Sequence, residues 1–203
     1  RATTLETEVS TNTTDIATLN TGLFDPDGSA TMWSDYLSPM STAKLPGANY
    51  PNWESFGPSG GIYAFNFAEG DYVFLAGFHI NHDIKVGSKI YPHVHWASSG
   101  TSTELVGWDI EFTAAAGHNQ EAFPGTTTIS ISEAASSTPW QHQITEASLA
   151  QAITAPEVDS LILMRVERNI TGNNTDNIFG LFVDLHVEVD RVGTKNKSPN
   201  FYT

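Results

Sequence analysis

Cysteine is absent from the 203 residues, which removes disulfide scaffolds, thiolate metal sites and Cys nucleophiles together. Basic residues are scarce: nine Lys and Arg stand against 23 Asp and Glu, for a formal net charge of −14. That balance excludes a basic nucleic-acid footprint and disfavours an anionic membrane surface. No apolar run approaches the roughly 18 residues of a membrane span, and no signal-peptide pattern opens the chain. Phosphate-loop and dinucleotide fingerprints are missing. Charged residues make up only 16% of the whole, against about 25% in an average globular protein. Thr, Ser, Asn and Gly fill the gap, a composition that suits β-rich proteins with polar loops.

Three regions differ in pattern. In residues 1–23, Ala2, Val9, Ile16 and Leu23 recur every seven residues, with Leu5, Asn12 and Leu19 as a second heptad series. The spacing predicts a short coiled-coil helix, a stalk through which chains associate by Leu5, Val9, Asn12, Ile16, Leu19 and Leu23. Residues 24–70 scatter Pro39, Pro46, Pro51 and Pro58 among Trp33, Tyr36, Tyr50, Trp53, Phe56 and Tyr63. Proline at this density predicts an irregular wrap, and the aromatics predict that it is ordered. From residue 71 to 203 the chain reads as a β-sandwich or jelly roll. Strands are expected at 72–80, 89–98, 103–116, 126–134, 140–147, 159–170 and 178–191, separated by Gly and Pro turns, with one helical turn at 147–153. The last strand alternates most cleanly: Leu181, Val183, Leu185, Val187 and Val189 face one way, and Phe182, Asp184, His186 and Glu188 the other. The fold class is therefore mainly β, an antiparallel sandwich behind a helical stalk.

The segment Pro92-His93-Val94-His95-Trp96 puts two histidines on one strand face, roughly 7 Å apart at their Cα atoms. With Asp184 and His186 from the last strand they are candidates for a metal site or an interface. A cupin-like, metal-dependent enzyme would use such a His-x-His pair. The acid that completes that pattern should fall near Ser99 or Gly100, and neither is one. The expectation is thus no cofactor, with the histidines serving strand pairing or subunit contact. His79 and His82 are candidates to join this face, and His118 and His142 receive no role. Ser59, within Gly57-Pro58-Ser59-Gly60-Gly61, sits in a turn rather than a nucleophile elbow. Trp33, Trp53 and Trp140 fall near loops and are candidate ligand-stacking platforms, the pattern of a monomeric carbohydrate-binding module. Trp96 and Trp108 fall in strands and read as core.

Two further stretches carry a resemblance. His82-Asp83 through Trp96, and Asp184-Leu185-His186-Val187-Glu188-Val189-Asp190 running into Arg191 through Tyr202, resemble segments of phage fibre, spike and head-decoration proteins. The resemblance implies a homotrimer at a virion location, whereas Val9 and Ile16 at a with Leu5 and Leu19 at d lean by themselves towards a dimer. The expectation is then a non-catalytic virion-surface protein, made in the host cytoplasm, whose partners are its own copies, other virion proteins and a host-surface glycan. Composition leaves no nucleic-acid partner and no membrane insertion. The C-terminal tail, 192–203, carries Lys195 and Lys197 with Phe201 and Tyr202, and is expected to dock on a neighbouring subunit or on the virion.

If residues 1–23 hold chains together, Ile16→Asp places one buried charge per chain in the seam and lowers the oligomer's mass in light scattering across a concentration series. An unchanged mass removes the stalk.

Overall fold

A computed structural model describes residues 9–14 and 32–201. Its strands are β1 (Met32–Pro39), β2 (Asn52–Phe56), β3 (Ile62–Phe67), β4 (Tyr72–Phe74), β5 (Phe78–His79), β6 (Lys89–Ser98), β7 (Leu105–Ala116), β8 (Thr127–Ala134), β9 (Gln143–Glu146), β10 (Ile153–Thr154), β11 (Ser160–Asn169) and β12 (Ile178–Val189). They form two antiparallel sheets. In the larger, β12 pairs with β6 along one side. Its other side is shared end to end by β3, which takes Ile178–Gly180, and β1, which takes Phe182–Val189. Strands β9 and β10 divide the far side of β6 in the same way, and β2 closes the other margin on β3. The smaller sheet is β8-β7-β11, with β4 and β5 sharing the free side of β11.

The core fills the space between the sheets. Val94 and Trp96 of β6, with Val183, Leu185 and Val187 of β12, face Trp108 and Ile110 of β7 and Ile162 and Val166 of β11. Phe67 meets Trp108 edge to face at 5.4 Å, joining β3 to β7 across the interior. Trp96 is buried and donates from Nε1 to Thr145 Oγ1 at 2.8 Å, so its polar handle is satisfied. The Arg168 guanidinium is also buried, which lowers its pKa. It donates to the carbonyls of Phe67 (2.6 Å) and Asn174 (2.7 Å), tying β11 to the larger sheet.

Several sequence expectations need correction. Residues 24–70 are not an irregular wrap, because β1, β2 and β3 lie within them. The prolines punctuate instead of interrupting: Pro39 ends β1, Pro51 precedes β2 and Pro58 sits in the β2–β3 turn. Of the expected stalk only residues 9–14 are described. They are helical and exposed, Val9 at 63%, and Thr13 and Thr14 hydroxyls donate back to the Val9 and Ser10 carbonyls. These six described residues by themselves do not support the expected coiled coil. Asn12 belongs to it, while Leu5, Ile16, Leu19 and Leu23 lie outside the described residues. The turn at 149–151 is not helical, and the expected strand 72–80 breaks between β4 and β5.

The alternation of β12 is also interrupted. A β-bulge between Gly180 and Phe182 skips Leu181, which leaves the core set to which simple alternation assigned it. Gly180 precedes the bulge because nothing larger fits: a Cβ there would meet the Met40 sulfur, and the Phe67 ring at 2.7 Å. Gly180→Ala should therefore destabilise the domain by about 1–3 kcal/mol, read as a lower urea midpoint at unchanged slope. An unchanged midpoint would mean that Met40 moves aside freely.

Candidate binding site on the outer face of the larger sheet

Alternation in β12 turns Asp184 and His186 away from the core, and alternation in β6 does the same for Tyr91, His93 and His95. Register then decides which of them meet. His93 lies opposite Asp184 and Tyr91 opposite His186. On the flanks, β1 places Asp35 opposite His186, and β9 places Glu146 opposite His93. Four strands therefore deliver the candidates His93, His95, Asp184 and His186 to one patch, together with Tyr91, Asp35, Glu146 and, from the loop before β9, His142.

The contacts are close. His95 Nε2 is 3.0 Å and His93 Nε2 3.5 Å from Asp184 Oδ2. His93 and His186 rings are 4.0 Å apart between centroids. His186 reaches Glu146 through Nδ1 and Asp35 through Nε2, the latter at 3.1 Å. His95 Nδ1 is 2.7 Å from His142 Nε2, which gives His142 the role that sequence reading withheld. This outer face is not solvated at its centre, where His93 is 1% exposed and Asp184 5%. Burial, reinforced by the neighbouring His186 and His95, pushes His93 down from its ordinary 6.5 to about 4. Burial also lowers His95, with His142 and His186 adding to the effect. Asp184 moves the opposite way, from 3.8 to about 6, through burial and the nearby Asp35.

Beside this centre opens a pocket of about 350 Å³ lined by Trp33, Tyr91, Glu146 and His186. Trp33 projects from β1 and meets Tyr91 edge to face at 5.8 Å and His186 at 6.5 Å, yet is 58% exposed. Of the three candidate platforms, it alone joins the histidine cluster. Trp53 stacks on Tyr63 at the margin formed by β2 and β3, beside a smaller hollow of about 130 Å³. Trp140 packs against Phe56 and Phe179 and is partly buried. A larger cleft of about 450 Å³ is lined by Asn52, Asn66, Glu69 and Arg168, but there the arginine is already bound to two carbonyls.

His79 and His82 do not join the site. β5 belongs to the other sheet, and with His118 they surround Asp159 at 3.4, 3.1 and 2.8 Å. The tail docks there, on its own chain: Phe201 is 2% exposed and packs edge-on against His82 and His118 at 5.5 and 5.6 Å. Glu146, Asp35 and Tyr91 were missed by sequence reading. Their only signal was strand alternation, which gives a residue's face but not its neighbour across the ladder.

No protein-family model matches the chain, and no curated protein matches its sequence. Among solved structures it is similar to the CBM36-1 domain of a multidomain xylanase from the hindgut metagenome of Trinervitermes trinervoides. That match has 8% identity over 75% of this chain and 96% of that one, with a TM-score of 0.43. CBM35 from Cellvibrio japonicus Abf62 gives 16% identity, 74% and 92% coverage, and a TM-score of 0.40. Dimeric latent PorU from Porphyromonas gingivalis gives 11% identity over 79% of this chain and 13% of that one, at 0.37. At these values the likeness carries no functional argument.

The two large shifts oppose each other in their effect on stability. His93 resists its proton when folded, so its contribution falls as pH drops from 6.5 towards 4. Asp184 holds its proton more tightly when folded, so its contribution falls as pH rises from 3.8 through 6. Asp184→Asn removes the second limb alone. In EDTA, the variant should gain up to about 3 kcal/mol on wild type between pH 4 and 6 in urea denaturation. Parallel pH profiles would contradict the buried carboxylate.

Proposed function

We propose that this chain is a non-catalytic binding domain that takes a neutral carbohydrate at the Trp33 pocket. The observation that carries the reading is the pocket's mixed lining: an exposed indole beside the Tyr91 ring, with the polar groups of Glu146 and His186 on the same rim. A sugar ring has an apolar C–H face and a hydroxyl edge. An aromatic platform covers the first, and a carboxylate and an imidazole beside it serve the second. The net charge of −14 disfavours acidic glycans. Glu146 and Asp35 are each engaged by His186, which fixes the imidazole on the rim where it can meet a hydroxyl.

A second reading concerns the setting in which such a domain works. The assembly of three chains on a virion surface, implied by the resemblance noted above, is favoured by the open margin of the larger sheet. Strand β2 pairs only with β3 among the described residues, and Trp53, Ile62 and Tyr63 stand exposed there. A strand edge rimmed with aromatics is a surface that a neighbouring chain can cover. The two readings use different strands and coexist in one protein. Light scattering on the intact chain decides between one copy and three.

Calorimetry with neutral oligosaccharides tests the pocket. Trp33→Ala should weaken binding about tenfold or more, a loss of at least about 1.4 kcal/mol, while Trp53→Ala leaves it unchanged. Undiminished binding by the Trp33 variant, or no binding of any neutral oligosaccharide at millimolar concentration, would overturn the reading.

A further inference from the structure

The centre of the histidine cluster has a charge problem that the carbohydrate pocket does not explain. Asp184 is a nearly buried carboxylate whose Oδ1 accepts no hydrogen bond among the described residues, and no Lys or Arg pairs with it there. The atoms facing its other oxygen are two imidazole nitrogens, His95 Nε2 and His93 Nε2. His95 Nε2 is itself buried, and its 3.0 Å approach to Asp184 lacks hydrogen-bond geometry.

The far sides of the two rings are also engaged, which leaves both Nε2 atoms turned towards Asp184. His93 Nδ1 lies 3.5 Å from the Tyr91 carbonyl, an acceptor for an Nδ1–H. The same nitrogen is 3.9 Å from Glu146. His95 Nδ1 lies 2.7 Å from His142 Nε2, where either ring can be the donor; a ring that donates through Nδ1 leaves its Nε2 free to bind a metal. Two Nε2 atoms and a carboxylate oxygen thus converge on one point. Holding a ring by its outer nitrogen so that the inner one is presented is how proteins orient metal-binding histidines.

We propose that His93, His95 and Asp184 bind a divalent first-row transition-metal ion, His93 and His95 through Nε2. The three donor atoms lie within 4.8 Å of one another, and the two nitrogen–oxygen separations, 3.0 and 3.5 Å, bracket the edge of about 3.3 Å expected for ligands tetrahedrally placed at 2.0–2.1 Å. Two imidazoles and one carboxylate suit zinc, iron or cobalt, and nitrogen donors disfavour calcium and magnesium. The sequence expectation that no catalytic metal is held rested in part on the missing acid after His95. The register of β12 supplies that acid from the opposite strand. The site is independent of the carbohydrate reading, since the metal alone is its probe.

The test uses the full chain, stripped with a chelator and titrated with ZnCl₂ in a calorimeter, with Co²⁺ absorption as a second measure. One ion per chain should bind with the visible spectrum of a low-symmetry Co²⁺ site, and zinc should raise the thermal midpoint. His95→Ala and Asp184→Asn should each weaken zinc about tenfold or more and abolish that rise, with circular dichroism confirming that each variant folds. His95, at the edge of the cluster, serves if the Asp184 variant does not fold. His118→Ala, in the separate group around Asp159, should bind zinc as wild type does. Wild-type affinity no better than that of the foldable variant, or a loss in His118→Ala instead, overturns the proposal. Failure of zinc alongside intact oligosaccharide binding would sink the metal site and leave the pocket standing.

Discussion

The antiparallel pairing of β6 with β12 is the constraint on which the rest depends. These are the two central strands of the larger sheet, and every other strand of that sheet attaches to one of them or to β3. Their inner residues, Val94, Trp96, Val183, Leu185 and Val187, anchor the core against the smaller sheet. The same register carries His93 to Asp184 and Tyr91 to His186 on the reverse side. A slip of one residue would expose the apolar row and bury the charged one, so the core enforces the geometry of the site. Core stability and site geometry are two faces of one ladder.

The bulge at Leu181 adjusts that ladder where two neighbours change over. Before it, β12 is flanked by β3; after it, by β1. Gly180 sits at this junction against Met40 and Phe67, so the sheet bends where the chain can approach closest. Beyond the junction β1 adds Trp33 and Asp35 beside His186, which turns a polar strand face into a walled pocket. A pocket on the outside of a sheet needs such side walls, because a flat pleated face offers no concavity.

The two histidine groups show how topology partitions similar residues. His93, His95, His142 and His186 gather on the larger sheet, whereas His79, His82 and His118 gather round Asp159 under the C-terminal tail. In the second group each histidine meets one carboxylate and the cover is a single aromatic, Phe201. In the first, two imidazole nitrogens face a buried carboxylate, with no Lys or Arg beside it among the described residues.

Much of the sandwich was legible in the chain. Period-two alternation and Gly/Pro punctuation placed β6 at 89–98 and put strands where β7, β8, β9, β11 and β12 lie, because burial on one face of a pleat leaves its mark in every second residue. The pairing of His93 with His95 on one face was equally local. The strands among the prolines at 24–70 were harder to read: β1 and β2 each pair on one side among the described residues and tolerate proline at their ends, and β3, flanked by β12 and β2, is only six residues long. The bulge was not legible, since it depends on Met40 and Phe67 crowding one glycine. Partnership across strands was out of reach altogether: alternation states which way Asp184, Glu146, Asp35 and Trp33 point, but register comes from packing the whole core. The sequence by itself determined the sheet class, the strand faces and the acidic, cysteine-free chemistry. The tertiary structure alone decided that four separate strands bring their polar faces to one buried centre, because only closure of the core sets them side by side.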